Sequence, residues 1–357
     1  MISGMNIRRG LSWIPVPRIR QAVRHRPITS ALLALVLLLL LSALGGAAAL
    51  RINYTGEPRE DARTRGRDAV WLGHAWVDGR KQPSDVTALA RKLRGTGIRD
   101  LYVHTGPLEF DGDLAPSKSW RAGWFITAIK RQLPGIRVQS WLGQTLDTEV
   151  STGLDLADRD TRRRIADSAR QVLDAGFDGV HLDLEPAHSE DPDFLRLLDA
   201  LHTVTANRHA PLSVAAHQID PVPWLHSVAG TLTGHPKWWS QRYFGQVARR
   251  VDQIAVMSYD TALPWEGLYG GYVAQQTALA LEVTPRSTDL LIGLPGYHTE
   301  EFGHHEHAET VRAAVRGARL GLTREAPDRR RFGTALYVDF AATDADWRAY
   351  REGWGKR

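Results

Sequence analysis

The chain has 357 residues, 43% of them hydrophobic, a formal charge of +5 and no cysteine. That length holds one large domain or two ordinary ones, and the lack of cysteine rules out disulfides, thiolate metal sites and cysteine nucleophiles. The positive balance is local: residues 1–51 carry seven arginines and no acid, leaving 38 basic and 40 acidic residues, a net of −2, so charge gives no support to a nucleic-acid partner.

Residues 1–29, with Arg8, Arg9, Arg18, Arg20, Arg24 and Arg26, form a basic leader. Residues 30–50 are uncharged and nearly pure leucine, alanine and valine from Ala31 to Leu41. Roughly 20 apolar residues can cross a bilayer. With the arginines upstream, the positive-inside rule puts the leader in the cytoplasm and the rest outside. The block reads as a retained transmembrane signal anchor. The alternative is a signal peptide cut near Ala47–Ala49, which would give a secreted protein. Arg8-Arg9 lies too far from the apolar run to make a good twin-arginine signal. Residues 51–66 are polar and glycine-containing and read as a linker.

From residue 67 to 357 apolar runs alternate with helical periodicity. Strands are predicted at 69–76, 100–104, 137–142, 178–185, 211–216, 253–259, 290–294 and 334–340. Helices are predicted from Ser84, over 120–133, 160–175 and 194–206, around 277–281 and over 308–320, several of them stopped by glycine. Eight strands alternating with helices over ~290 residues predict an α/β fold, a (β/α)8 TIM barrel, preceded by one N-terminal transmembrane helix. A doubly wound open sheet is the rival, but no Gly-rich phosphate loop follows the first strand.

The fourth strand carries the densest chemistry. In Gly179-Val180-His181-Leu182-Asp183-Leu184-Glu185 the side chains alternate faces. Val180, Leu182 and Leu184 share one side and can pack under helices. His181, Asp183 and Glu185 share the other, and burying such groups is costly unless they are paired or used. The longest loops follow strands two, five and six. They hold Trp224, Trp238, Trp239, Tyr243, Phe244, Trp265 and Tyr269, readable as stacking platforms for sugar rings or as core of a long excursion. His298, His304, His305 and His307 cluster after strand seven without regular ligand spacing; they read as a solvated loop rather than a metal centre, and neither metal nor cofactor is expected. The absence of a G-x-S-x-G elbow disfavours a Ser-His-Asp hydrolase.

Asp178-Gly179-Val180-His181-Leu182-Asp183-Leu184-Glu185 resembles the D-G-x-D-x-D-x-E signature of family 18 glycoside hydrolases, the chitinases and their relatives. Met257-Ser258-Tyr259-Asp260 is similar to the M-x-Y-D of strand six, and Gly293-Leu294-Pro295 with Tyr297 to the G-L-P-x-Y of strand seven. The resemblance implies hydrolysis of an N-acetylhexosamine glycan, chitin-type or cell-wall, in which the substrate's own N-acetyl oxygen attacks the anomeric carbon. It implies Glu185 as general acid/base, Asp183 as the group orienting the acetamido and Tyr259 as holder of its carbonyl. Asp260, Met257, His181, Tyr297, Tyr337 and Trp265 are the implied substrate-binding residues. Partial desolvation of Glu185, with the charge of Asp183 beside it, suits a proton donor. The chain departs from the pattern at His181, where the family has an aspartate and where the imidazole is expected to bond Asp183. It departs again at Leu184, at Ser140-Trp141-Leu142-Gly143, and at Tyr337 in place of a tryptophan floor. Two other readings stand beside this one. The first is a non-catalytic carbohydrate-binding barrel. The second is a hydrolase for non-acetylated sugars that pairs Glu185 with Asp260 or Asp339.

Overall fold

The computed structural model describes residues 27–148, 152–225, 227, 237–300 and 303–356. The leader and part of the loop after the fifth strand therefore lie outside the described residues. The chain divides into two compact units, residues 1–46 and 47–357. The first contains most of helix α1 (Pro27–Asn53). Over Ser30–Asn53 this helix has a mean hydropathy of 2.5, and it alone among the described residues is long and apolar enough to cross a membrane. Its leucines are exposed on every side, and a helix with no polar face needs an apolar surrounding.

The second unit is the eight-stranded parallel barrel. Its strands are β1 (Asp68–Leu72), β2 (Ile98–Pro107), β3 (Arg137–Thr145), β4 (Gly179–Glu185), β5 (Leu212–Ala216), β6 (Gln253–Val256), β7 (Asp289–Pro295) and β8 (Phe332–Tyr337), closed in sequence order with β8 against β1. Each strand is followed by a helix: α2 (Pro83–Leu93), α3 (Ala122–Gln132), α4 (Arg159–Asp174), α5 (Pro192–Ala206), α6 (Gln241–Ala248), α7 (Glu266–Val283), α8 (Val311–Glu325) and α9 (Asp344–Gly353). Asp158, Asp191, Ser240, Thr310 and Thr343 cap their helices by accepting from first-turn N–H groups. The sequence pattern overran β6, whose ladder ends at Val256, and gave no sign of α9. A two-residue parallel ladder, Gln218–Ile219 with Trp238–Trp239, closes the base of the β5–α6 excursion.

The main core lies between barrel and helices. Val180, Leu182 and Leu184 of β4 face it, as their alternation requires. The barrel interior is partly polar. Arg137 donates to Asp100 at 2.6 and 2.8 Å, Gln139 donates to Asp100 at 3.0 Å, and Ser213 donates to Gln139 at 3.0 Å.

Two features depart from the reading of residues 51–66 as a linker. α1 continues to Asn53, and the chain after it is held along α8. Arg316, Arg319 and Arg324 donate to the carbonyls of Gly56, Ala62 and Asn53 at 2.7–2.8 Å, and the Arg59 N–H donates to Thr323 at 3.0 Å. The end of α1 sits against α7 in a notch made by glycines. A Cβ on Gly271 would stand 1.8 Å from the Leu50 carbonyl oxygen, and one on Gly270 would stand 2.1 Å from the Tyr54 ring. Only glycine permits that approach of backbone to backbone.

Candidate active site

At the C-terminal mouth of the barrel a cavity of about 410 Å³ opens beside Asp183 and Glu185. That end is where a parallel barrel places its chemistry. Trp71 and Tyr337, from β1 and β8, meet edge to face at 5.6 Å on its floor, joined by Met257. Tyr259 and Asp260 form the wall beyond β6, with His217, Gln218 and Lys237 contributed by the β5–α6 excursion.

The two carboxyls of β4 are set one pleat apart. Gly143 and Thr145 of β3 lie opposite Asp183 and Glu185. Asp183 Oδ1 is buried with no hydrogen-bond partner among the described residues. Burial pushes the Asp183 carboxyl up to about 6, offset in part by the Trp141 indole. Glu185 is pushed up to about 8, first by desolvation and then by the negative charges of Asp183 and Asp260. Both causes favour the protonated form of Glu185. Acids sharing one site cannot readily ionise together.

Tyr259 is buried and stacks on Tyr337 at 5.4 Å with the planes 21° apart. Its carbonyl accepts from Gln218 Nε2 at 2.6 Å; Gln218 Oε1 accepts from Tyr272 at 2.6 Å, and the Tyr272 hydroxyl accepts from Trp238 at 2.8 Å. Gly293 makes room for the ring: a Cβ there would lie 2.9 Å from Tyr259 Cε1. This is a steric reason for the glycine of Gly293-Leu294-Pro295. Asp260 has φ 57° and accepts from the Tyr297 hydroxyl at 2.5 Å, while Lys237 donates to its carbonyl.

His181 departs from expectation. Its ring is fully buried one layer below Asp183 and bonds other partners. Trp71 Nε1 donates to Nε2 at 2.9 Å, and Nδ1 lies 2.7 Å from Ser213 Oγ. The indole can only donate, so Nε2 carries no proton and Nδ1–H is the donor to Ser213. The ring stacks on Tyr102 at 3.8 Å. Burial holds its pKa well below the ordinary value, so it is a neutral link rather than a partner that titrates with Asp183. It supports the floor through Trp71 and does not line the cavity.

Other expectations divide. Trp239, Tyr243, Phe244 and Tyr269 are buried core, whereas Trp224 and Trp265 are exposed. Trp265 is the N-cap residue of α7 and lies outside the cavity lining. Tyr297 reaches the cavity through Asp260 rather than directly. Asp339 accepts from the Gly73 N–H at 2.9 Å and from Trp76 Nε1 at 2.8 Å and is not among the residues lining the cavity. Trp71, His217, Gln218 and Lys237 escaped the sequence reading. None lies in a recognisable motif, and only the fold brings them beside β4.

No protein-family model and no curated protein matches the chain. Its fold is similar to those of solved structures. One is a class V chitinase from Pseudomonas fluorescens, with 15% identity and TM-score 0.53 over 80% of this chain and 98% of that one. A second is the spore cortex-lytic enzyme SleL of Bacillus cereus, with 12% identity and TM-score 0.54 over 82% and 76%. A third is a chitinase from Chromobacterium violaceum, with 14% identity and TM-score 0.54 over 81% and 99%. At these identities the likeness shows a shared (β/α)8 barrel fold.

Proposed function

We propose that this chitinase-like barrel hydrolyses glycosidic bonds in an N-acetylhexosamine-containing glycan, chitin-type or cell-wall, outside the cytoplasmic membrane, with α1 as its anchor and the leader in the cytoplasm. The observation that carries the reading is the pair at the end of β4: Glu185, held protonated to about pH 8 by burial and by Asp183, lines an open cavity floored by Trp71 and Tyr337. A protonated carboxyl there can give its proton to the glycosidic oxygen as the bond breaks. The substrate's acetamido oxygen is the nucleophile in this route, so no second protein carboxylate need attack carbon. Asp183, with an unpartnered buried oxygen, would accept the acetamido N–H and turn its carbonyl toward the anomeric carbon. The Tyr259 hydroxyl would steady that carbonyl. After cleavage the Glu185 carboxylate takes a proton from the incoming water.

The surface agrees. The exposed aromatic side chains among the described residues are Phe110, Trp120, Trp224, Trp265 and Phe340, and all five lie in loops that follow strand ends. Flat apolar rings on that face suit the CH faces of a glycan chain. A purely binding barrel would need such rings but not an acid held in its protonated form. The test is acetamido dependence: the full-length protein should cleave N-acetylated hexosamine oligomers and leave the de-N-acetylated oligomers of equal length intact. Equal cleavage of both would overturn the substrate-assisted route.

A further inference from the structure

We infer that Asp260, His304 and Glu309 form a binding site for one divalent transition-metal ion of the zinc class, in the wall of the cavity. The three side chains come from the β6–α7 and β7–α8 connections, and one ligand atom of each lies within 4.8 Å of the others. His304 Nδ1 is 3.1 Å from Asp260 Oδ1 and 3.4 Å from Glu309 Oε2. Nitrogen and oxygen ligands about 2.0–2.2 Å from zinc stand about 3–3.5 Å from one another, so these separations match the edges of a coordination polyhedron.

Two observations beyond the cluster point to a ligand. His304 is 2% exposed and Glu309 is 1% exposed. Yet both ring nitrogens of His304 and Oε2 of Glu309 lack a hydrogen-bond partner among the described residues. Buried polar atoms are otherwise almost always satisfied. Meanwhile the other oxygen of Glu309 is fixed: the Thr261 N–H and hydroxyl donate to Oε1 at 2.8 and 2.9 Å, leaving Oε2 turned to His304. The Tyr297 hydroxyl holds the second carboxylate differently, donating to Asp260 Oδ1, the oxygen that itself faces His304 and keeps a further lone pair for an ion. Such outer hydrogen bonds are how metal-binding carboxylates are held in place. Lys237 faces the group from the β5–α6 excursion and gives one of its three N–H donors to the Asp260 carbonyl. Two carboxylates would balance a doubly charged ion. Three protein ligands leave a position for water or a substrate hydroxyl on the side where Asp260 lines the cavity.

The competing account is a protonated His304 bridging the two carboxylates without metal. The test is independent of the proposed hydrolysis, since binding can be read without turnover. The full-length protein, untagged and stripped with a chelator, is titrated with zinc at pH 7.5 against a chromophoric chelator. One ion per chain is expected, with at least a tenfold loss of affinity in His304→Ala and in Glu309→Gln. Far-UV circular dichroism confirms that each variant is folded. His307→Ala, which alters the exposed Glu300–Glu306–His307 group, should bind as the parent does. Substoichiometric binding by the parent, or binding unchanged in both His304→Ala and Glu309→Gln, would overturn the assignment.

Discussion

Replacing Glu185 by glutamine should stabilise the barrel, and only above a definite pH. Below about pH 4.5 the carboxyl is protonated in folded and unfolded chains alike, so it has no bearing on stability. Between its ordinary value and about 8 the unfolded chain releases the proton while the folded barrel keeps it, and stability falls as pH rises. Above about 8 the loss is complete. At 1.36 kcal/mol per pH unit the ceiling is about 5 kcal/mol. Solvent entering the open cavity screens the half-buried group and reduces the expectation to about 2–3 kcal/mol. Glutamine keeps the shape without the charge. Glu185→Gln should therefore match the parent near pH 4 and exceed it at pH 8.5, with a rise in Tm of about 5–10 °C. Thermal unfolding of both full-length proteins, followed by far-UV circular dichroism from pH 4 to 9, checks this. A difference independent of pH, or a glutamine variant less stable at pH 8.5, would refute the argument from desolvation.

Activity should follow a bell-shaped pH profile for the Asp183/Glu185 pair, with apparent values near 6 and 8, read from kcat/KM. Loss on the alkaline side reports the proton leaving Glu185. His181→Ala removes the acceptor for the Trp71 N–H, the donor to Ser213 and a ring stacked on Tyr102; chemical denaturation should show a loss of about 3–5 kcal/mol. His181→Asp, which installs the aspartate of the signature that strand four resembles, should be destabilised comparably, because it buries a carboxyl and leaves the space of the ring stacked on Tyr102 unfilled. Gly271→Leu should drive the Leu50 carbonyl from α7 at a cost of about 1–3 kcal/mol, seen as faster limited proteolysis between residues 47 and 66.

The barrel was legible because its strands are short apolar runs bounded by glycine and proline, and because β4 alternates strictly. That alternation correctly put His181, Asp183 and Glu185 inside. It could not say how deep each lies: one pleat separates an acid at a cavity from an imidazole enclosed by Trp71, Ser213 and Tyr102. Residues 51–66 looked like a linker because they are polar, and the arginines of α8 that hold their carbonyls are distant in sequence. The loop aromatics were ambiguous for a related reason. Composition does not distinguish Trp239, enclosed against Phe194 and Tyr243, from the exposed Trp265. Gln218, which anchors the Tyr259 backbone, carries no motif at all.

The most direct test of the central claim compares full-length parent, Glu185→Gln and Tyr259→Phe on N-acetylhexosamine oligomers and on peptidoglycan, measuring released reducing ends alongside binding of the same glycans. The account predicts cleavage by the parent, a loss of at least about 10³-fold in Glu185→Gln with binding retained, and a smaller loss of about 10–100-fold in Tyr259→Phe. A parent that binds these glycans yet releases no ends, or a Glu185→Gln variant as active as the parent, would contradict it.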